Sequence, residues 1–269
     1  MIMINSNQEY KELFVRIEDN ISASESGMLA ASKFLSPAES FHAKKYLAAK
    51  GIRGVVFFGG FRGAERERLI ILPAYLDSFE GEPLDLLREY FRSDMDELVR
   101  AIKITGSGYR ELSHRDYLGS ILSLGVEREA LGDVIVINTR QAYVFAMDSV
   151  ARLMLESLDR IGNDKVKLEA VPLDADFTYK REFIRVTDTV ASARLDCVAA
   201  ALANVSREKA QGLIDSGLCS LNYCEQTRCD KGVGEGDIIT LRGYGKFIIR
   251  SIDQQTKKGR LRLIADKYA

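Results

Sequence analysis

No apolar run in this chain approaches the ~20 residues that a bilayer-spanning helix needs, so no membrane partner is expected. Histidine occurs twice and cysteine four times in 269 residues. That is too little cysteine for a disulfide framework. Cys219, Cys224 and Cys229 are five residues apart, not a Cys-x-x-Cys pair. They read as buried or half-exposed thiols, with no metal and no cofactor expected. The start, MIMINSNQE, lacks the basic residues and apolar stretch of a secretory signal. The expectation is a reduced, cytosolic protein of one to three domains.

Apolar residues make up 46% of the chain and charged residues 29%, as in ordinary globular proteins. The net charge of −1 hides an asymmetry. Residues 185–269 hold 14 Lys+Arg against 10 Asp+Glu, and the remainder 24 against 29. A C-terminal segment of +4 on a body of −5 points to a polyanionic partner.

Apolar spacing at Leu13, Phe14 and Ile17 predicts a helix from Tyr10 to about Ile21. A second helix follows Ser36, with Pro37 in its first turn, Glu39 completing a capping box and Gly51 ending it. GVVFFGGF and RLIILPAYL read as strands joined by the polar turn RGAERE. These elements form a small α/β unit, residues 1–77. Residues 78–180 then read strand (ELVRAIKITG), helix (HRDYLGSILSLG), strand (GDVIVIN), strand (AYVFAMD), helix (SVARLMLESLDRIG), strand (KVKLEAVPL). This βαββαβ order is the ferredoxin-like or RRM-like plan. Tyr143 and Phe145 have the spacing of stacking aromatics on an RRM strand. The partner aromatic on the first strand is missing, so core or interface packing is the preferred reading.

His114-Arg115-Asp116 imitates the start of a kinase catalytic loop. The asparagine required five residues after the aspartate is Ile121, and no Asp-Phe-Gly follows. Ser113 and Asp116 instead form an [ST]-x-x-[DE] capping box. No catalytic residues are expected.

The C-terminal third, residues 185–269, is the most informative. ARLDCVAAALANV carries an apolar stripe at Leu195, Val198, Ala199, Leu202 and Val205. Ser206 caps a second helix facing inward through Ala210, Leu213 and Ile214, and Gly217 ends it. The segment resembles the S4 RNA-binding domain at Arg194-Leu195-Asp196, Ser206-Arg207, Ala210, Leu213-Ile214, Gly217, Asn222 and Gly236-Asp237. It departs at Tyr223-Cys224, where such domains continue with glycine after the asparagine. Arg194, Arg207, Lys209 and Gln211 are expected to project from the two helix starts, whose free amides would meet phosphate. Ser206, Asn222, Arg228, Lys231, Arg242 and Lys246 complete the expected RNA-facing set.

Nearly the whole chain resembles the YlmH family of bacteria. The blocks are FLSPAE, GGFRGAERER, LSHRDYLGSILSLGVEREALGDVIV, the S4 region, RGYGKF and KKGRLRLIADKY. The resemblance implies a non-catalytic RNA-binding factor of ribosome-associated quality control. Its expected partners are ribosomal RNA and tRNA on large ribosomal subunits bearing stalled peptidyl-tRNA. Glu127 and Ala130 stand where more lysine is expected. Three alternatives compete with this reading, tyrosyl-tRNA synthetase among them. One is an RNA-modifying enzyme or its accessory, imitated by Arg194-Leu195-Asp196, but the 73 residues after Asp196 leave no room for a catalytic domain. Another is a scaffold for cell division using the acidic two-thirds. His-Ile-Gly-His and Lys-Met-Ser-Lys-Ser, the signatures of tyrosyl-tRNA synthetase, are absent.

Overall fold

The computed structural model describes residues 10–173, 179, 182–255 and 259–268. The fold is α+β and divides into two compact units, Met1–Tyr179 and Lys180–Ala269.

In the first unit, α1 (Lys11–Glu25) buries Leu13, Ile17 and Ile21, one per turn. Helix α2 (Pro37–Lys50) begins at the predicted Ser36–Glu39 capping box and ends at Gly51, whose φ of 68° suits a left-handed C-cap. Strands β1 (Ala30–Leu35), β2 (Val55–Phe58) and β3 (Glu67–Ile71) form an antiparallel sheet in the order β1-β3-β2. Two short helices follow, α3 (Pro83–Tyr90) and α4 (Met95–Leu98). Neither these two helices nor β1 was predicted.

The second sheet of this unit holds β4 (Arg100–Gly106), β5 (Leu131–Asn138), β6 (Gln141–Ala146), β7 (Arg160–Ile161) and β8 (Asp164–Val171), in the order β5-β6-β4-β8-β7. Helix α5 (His114–Leu122) connects β4 to β5, and α6 (Asp148–Ser157) follows β6. Helix α6 stops short of its predicted end, because Ile161 pairs with Asp164 across a turn at Gly162, φ 57°.

Strand alternation sends side chains to both faces of this sheet. Ile102, Ile104, Val134, Ala142 and Val144 pack with Tyr117 and Ile121 of α5 and Val150 and Met154 of α6. Ala101, Ile135 and Phe145 point the other way, into a cluster with Phe34, Val56, Phe58, Phe61 and Ile70. Both faces are therefore packed, and the residues 1–77 share a core with the second sheet.

Polar links join the same elements. The Asp133 carboxylate accepts from the Glu65 and Arg66 amides at 2.7 and 3.1 Å. The half-buried Arg66 guanidinium donates to the carbonyls of Leu131 and Phe34 at 3.0 and 3.1 Å. Arg68 is almost fully buried, donating to the carbonyls of Ser32 and Leu98. Burial pushes its guanidinium down to about 10. GGFRGAERER and GVEREALGDVIV are thus two sides of one seam.

In the second unit, β9 (Phe183–Val190), β10 (Cys219–Leu221), β11 (Cys224–Glu225), β12 (Ile238–Leu241), β13 (Gly245–Gln255) and β14 (Leu261–Tyr268) form one sheet, ordered β11-β10-β12-β13-β14-β9. Helices α7 (Leu195–Ala203) and α8 (Arg207–Asp215) lie on one face, over Ile239, Leu241, Phe247, Ile249, Leu263 and Ala265. Leu195, Val198, Ala199, Leu202, Ala210 and Ile214 supply the helical side of this core, with Val205 partly buried against it, whereas Leu213, expected to face inward, is half-buried outside the cluster.

Candidate nucleic-acid interface

The starts of α7 and α8 meet at Asp196, whose carboxylate is fully buried. Arg194 donates to it through Nε and Nη2, both at 3.2 Å. Arg207 donates through Nε at 3.0 Å and Nη2 at 2.7 Å. Gln211 Nε2 donates at 3.2 Å and the Cys197 amide at 2.9 Å. Burial pushes the carboxyl up, but the hydrogen bonds from Arg207, Arg194 and Gln211 outweigh it. Asp196 is held well below the usual carboxylate range. The two guanidiniums stay roughly half exposed, with side-chain exposures of 43% for Arg194 and 53% for Arg207. Each keeps donors on its solvent side, and a guanidinium fork matches phosphate geometry.

The α7 amides are not free, contrary to expectation. The Leu195 amide donates to the Lys231 carbonyl at 2.8 Å and the Asp196 amide to the Cys229 carbonyl at 3.1 Å. The loop carrying Arg228 and Lys231 therefore lies against the start of α7, which leaves side chains and not these amides to meet an anion there. Arg228 is itself paired with Asp230 at 3.1 Å.

Of the ten candidate RNA-facing residues, Arg194, Arg207 and Gln211 converge on Asp196, and Arg228 and Lys231 flank it in the adjoining loop. Lys209 lies on the first turn of α8, with its ammonium 6.0 Å from the Tyr244 ring. Ser206 caps α8, its Oγ accepting from the Lys209 amide at 3.2 Å. Asn222 braces a hairpin, donating to Asp237 at 2.7 Å and accepting from the Ile238 amide at 2.9 Å. Arg242 is exposed beyond β12. Lys246 sits elsewhere, on β13 between the rings of Tyr223 and Tyr268. Asp196 belongs to the Arg-Leu-Asp match, yet its place at the centre of the site is a result of the fold. The arginine beside it was the available signal.

Phe145 is 1% exposed and packs on Phe61 with ring centroids 4.7 Å apart. A ring so enclosed cannot stack on a base. Asp116 serves its capping box, accepting from the Ser113 amide and hydroxyl at 2.8 Å. Those bonds hold its carboxyl below the ordinary range. Glu127 pairs with Lys33, and Glu129 with Arg16 at 3.5 Å, so the acidic loop is matched within its own unit. Burial pushes the Cys219 thiol up to about 11, so it stays protonated at neutral pH. No described helix is long and apolar enough to cross a membrane.

A buried carboxylate tying two half-exposed arginines across a helix pair is an arrangement suited to phosphate-bearing ligands. Residues 93–175 match the family model described as "Putative RNA-binding domain in YlmH". Over 215 residues the chain is 29% identical to "Ribosome-associated protein quality control protein P2" of Bacillus subtilis (strain 168), covering 80% of this chain and 78% of that protein. Among solved structures it is similar to "Cell division protein ylmH from Streptococcus pneumoniae", at 20% identity and a TM-score of 0.46, over 64% of this chain and 94% of that one. Residues 93–175 are thus similar to the RNA-binding domain described for YlmH, and most of the chain is similar to the Bacillus subtilis protein.

Proposed function

We propose that this chain is a non-catalytic RNA-binding factor of the large ribosomal subunit. It would recognise subunits that carry stalled peptidyl-tRNA. In this reading residues 185–269 are an S4-type domain and residues 78–180 an RRM-like domain braced by residues 1–77. Such a factor works in the cytoplasm and needs no cofactor. The observation that carries the reading is the Asp196 centre. It fixes Arg194 and Arg207 on one surface at the starts of two helices, in the basic segment of an otherwise acidic chain. The similarity to a ribosome-associated quality-control protein supports it.

The proposed selectivity is physical. One basic surface touching ribosomal RNA and tRNA together gains the second contact at high effective concentration. The acidic remainder opposes indiscriminate RNA binding. Sucrose gradients of stalled and released large subunits, probed with the full chain, test this. Enrichment on the stalled subunits is expected. Equal distribution would leave general RNA binding without the peptidyl-tRNA preference. Absence from both would favour the division scaffold.

A further inference from the structure

The helices α7 and α8 cover only one face of the second unit's sheet. Phe247 and Ile249 of β13, and Leu263 and Ala265 of β14, point beneath them. Alternation sends Lys246 and Arg250 of β13 and Tyr268 of β14 to the opposite face. Phe183 of β9 is the register partner of Tyr268. On this outer face aromatic rings and cations interleave in a continuous row. Tyr223 lies 5.1 Å from the Lys246 ammonium, and that ammonium 4.5 Å from the Tyr268 ring. Tyr268 meets Phe183 edge-on, with centroids 5.2 Å apart, and the Arg250 guanidinium lies 5.7 Å from Phe183. The five residues come from four separate segments. Phe183 is 38% exposed and the Arg250 side chain 44%. The one acid in the row, Asp266, is buried and neutralised by Arg250 at 2.8 Å and Arg185 at 3.3 Å.

Tyr223 adds an independent observation. It follows Asn222 in the two-residue turn between β10 and β11, where Leu221 pairs with Cys224. Both turn residues are left-handed, with φ of 53° at Asn222 and 65° at Tyr223. Such a turn favours Asn-Gly, because a Cβ is strained there. A tyrosine in glycine's place carries that strain and sets its ring at one end of the row. A strained, bulky residue on a surface hairpin is a mark of function more than of stability.

We propose that this outer face is a stacking platform for unpaired RNA nucleotides, distinct from the Asp196-centred surface. The inference rests on the RNA-binding reading above and names the kind of RNA bound. Ring faces accept bases of any identity, and the intervening cations meet the phosphodiesters. A duplex hides its base faces in its own stack, so it gains nothing here beyond charge.

The test uses the full chain, a short single-stranded RNA carrying 2-aminopurine, and a hairpin duplex with the same number of phosphates. Tyr223→Gly removes the ring and relieves the backbone, so its melting temperature should equal or exceed that of the native chain. Its affinity for the single strand should fall about tenfold, with loss of 2-aminopurine quenching and unchanged duplex affinity. Tyr268→Leu keeps an apolar neighbour for Phe183 and should repeat the pattern. Unchanged single-strand affinity and quenching in both variants would overturn the platform and leave this face to a protein partner. Equal losses on single strand and duplex would overturn it, because a duplex offers no free base faces for the rings to stack on. A native chain that binds the duplex but not the single strand would overturn the platform alone. A native chain that binds neither would overturn the RNA-binding reading as well.

Discussion

The Asp196 carboxylate is acidic because three side chains hold its charged form in place. A carboxyl whose folded pKa is depressed contributes stability above its unfolded pKa of about 4. That contribution is lost as pH falls from there toward the folded value. Asp266, lowered by Arg250 and Arg185, acts in the same direction. The melting temperature of the second unit should therefore drop on acidification below about pH 4. Asp196→Asn should be less stable at neutral pH and should show a shallower drop, as differential scanning fluorimetry across pH would read. An unchanged slope would mean that Asp196 is not the titrating group. The same geometry separates Arg207 from Lys209. Arg207→Ala removes two hydrogen bonds from a buried acid and should lower both melting temperature and RNA affinity. Lys209→Ala should weaken RNA binding alone, flattening log affinity against log salt by about one unit or less. Reversal of that pattern would move the phosphate contact away from Lys209. In the sequence the Arg-Leu-Asp triplet was visible but its convergence was not. The partners Arg207 and Gln211 lie 11 and 15 residues on, and only the packing of α7 against α8 brings them to the carboxylate.

Elements with strong local signals were legible, namely the capping boxes at Ser36 and Ser113 and the apolar stripes of α7 and α8. Each is set by residues within a few turns of one another. The box at Ser113 should behave as a cap and nothing more. Ser113→Ala should cost about 1 kcal/mol in denaturant unfolding. A null effect would show that α5 is held by its buried Tyr117 and Ile121 alone. Strands β1, β9 and β14 were not legible. Phe183–Val190 is exposed on most of its length, so it lacks the alternation that marks a half-buried strand. Strand β1 pairs with β3 through an irregular register, between Ala31 and Phe34, which breaks its pattern. Tyr143 and Phe145 were legible as packing residues, because the first strand offers no partner aromatic. The side chains that cover them, Phe34, Val56, Phe58, Phe61 and Ile70 of residues 1–77, were not legible as their partners.

At the scale of the whole molecule, charge and architecture coincide. The unit Lys180–Ala269 holds the basic excess, the Asp196 centre and the aromatic row, while Met1–Tyr179 is acidic and packed on both faces of its larger sheet. Phosphate contacts release counterions, so a basic surface writes itself into the salt dependence of binding. The basic excess lies in the second unit. The most direct test of RNA binding through that unit is log affinity for ribosomal RNA against log salt, for the full chain and for residues 1–179 alone. The full chain should give a steep negative slope, and residues 1–179 should bind weakly with a slope near zero. A shortened protein that kept the affinity and slope of the full chain would contradict the account.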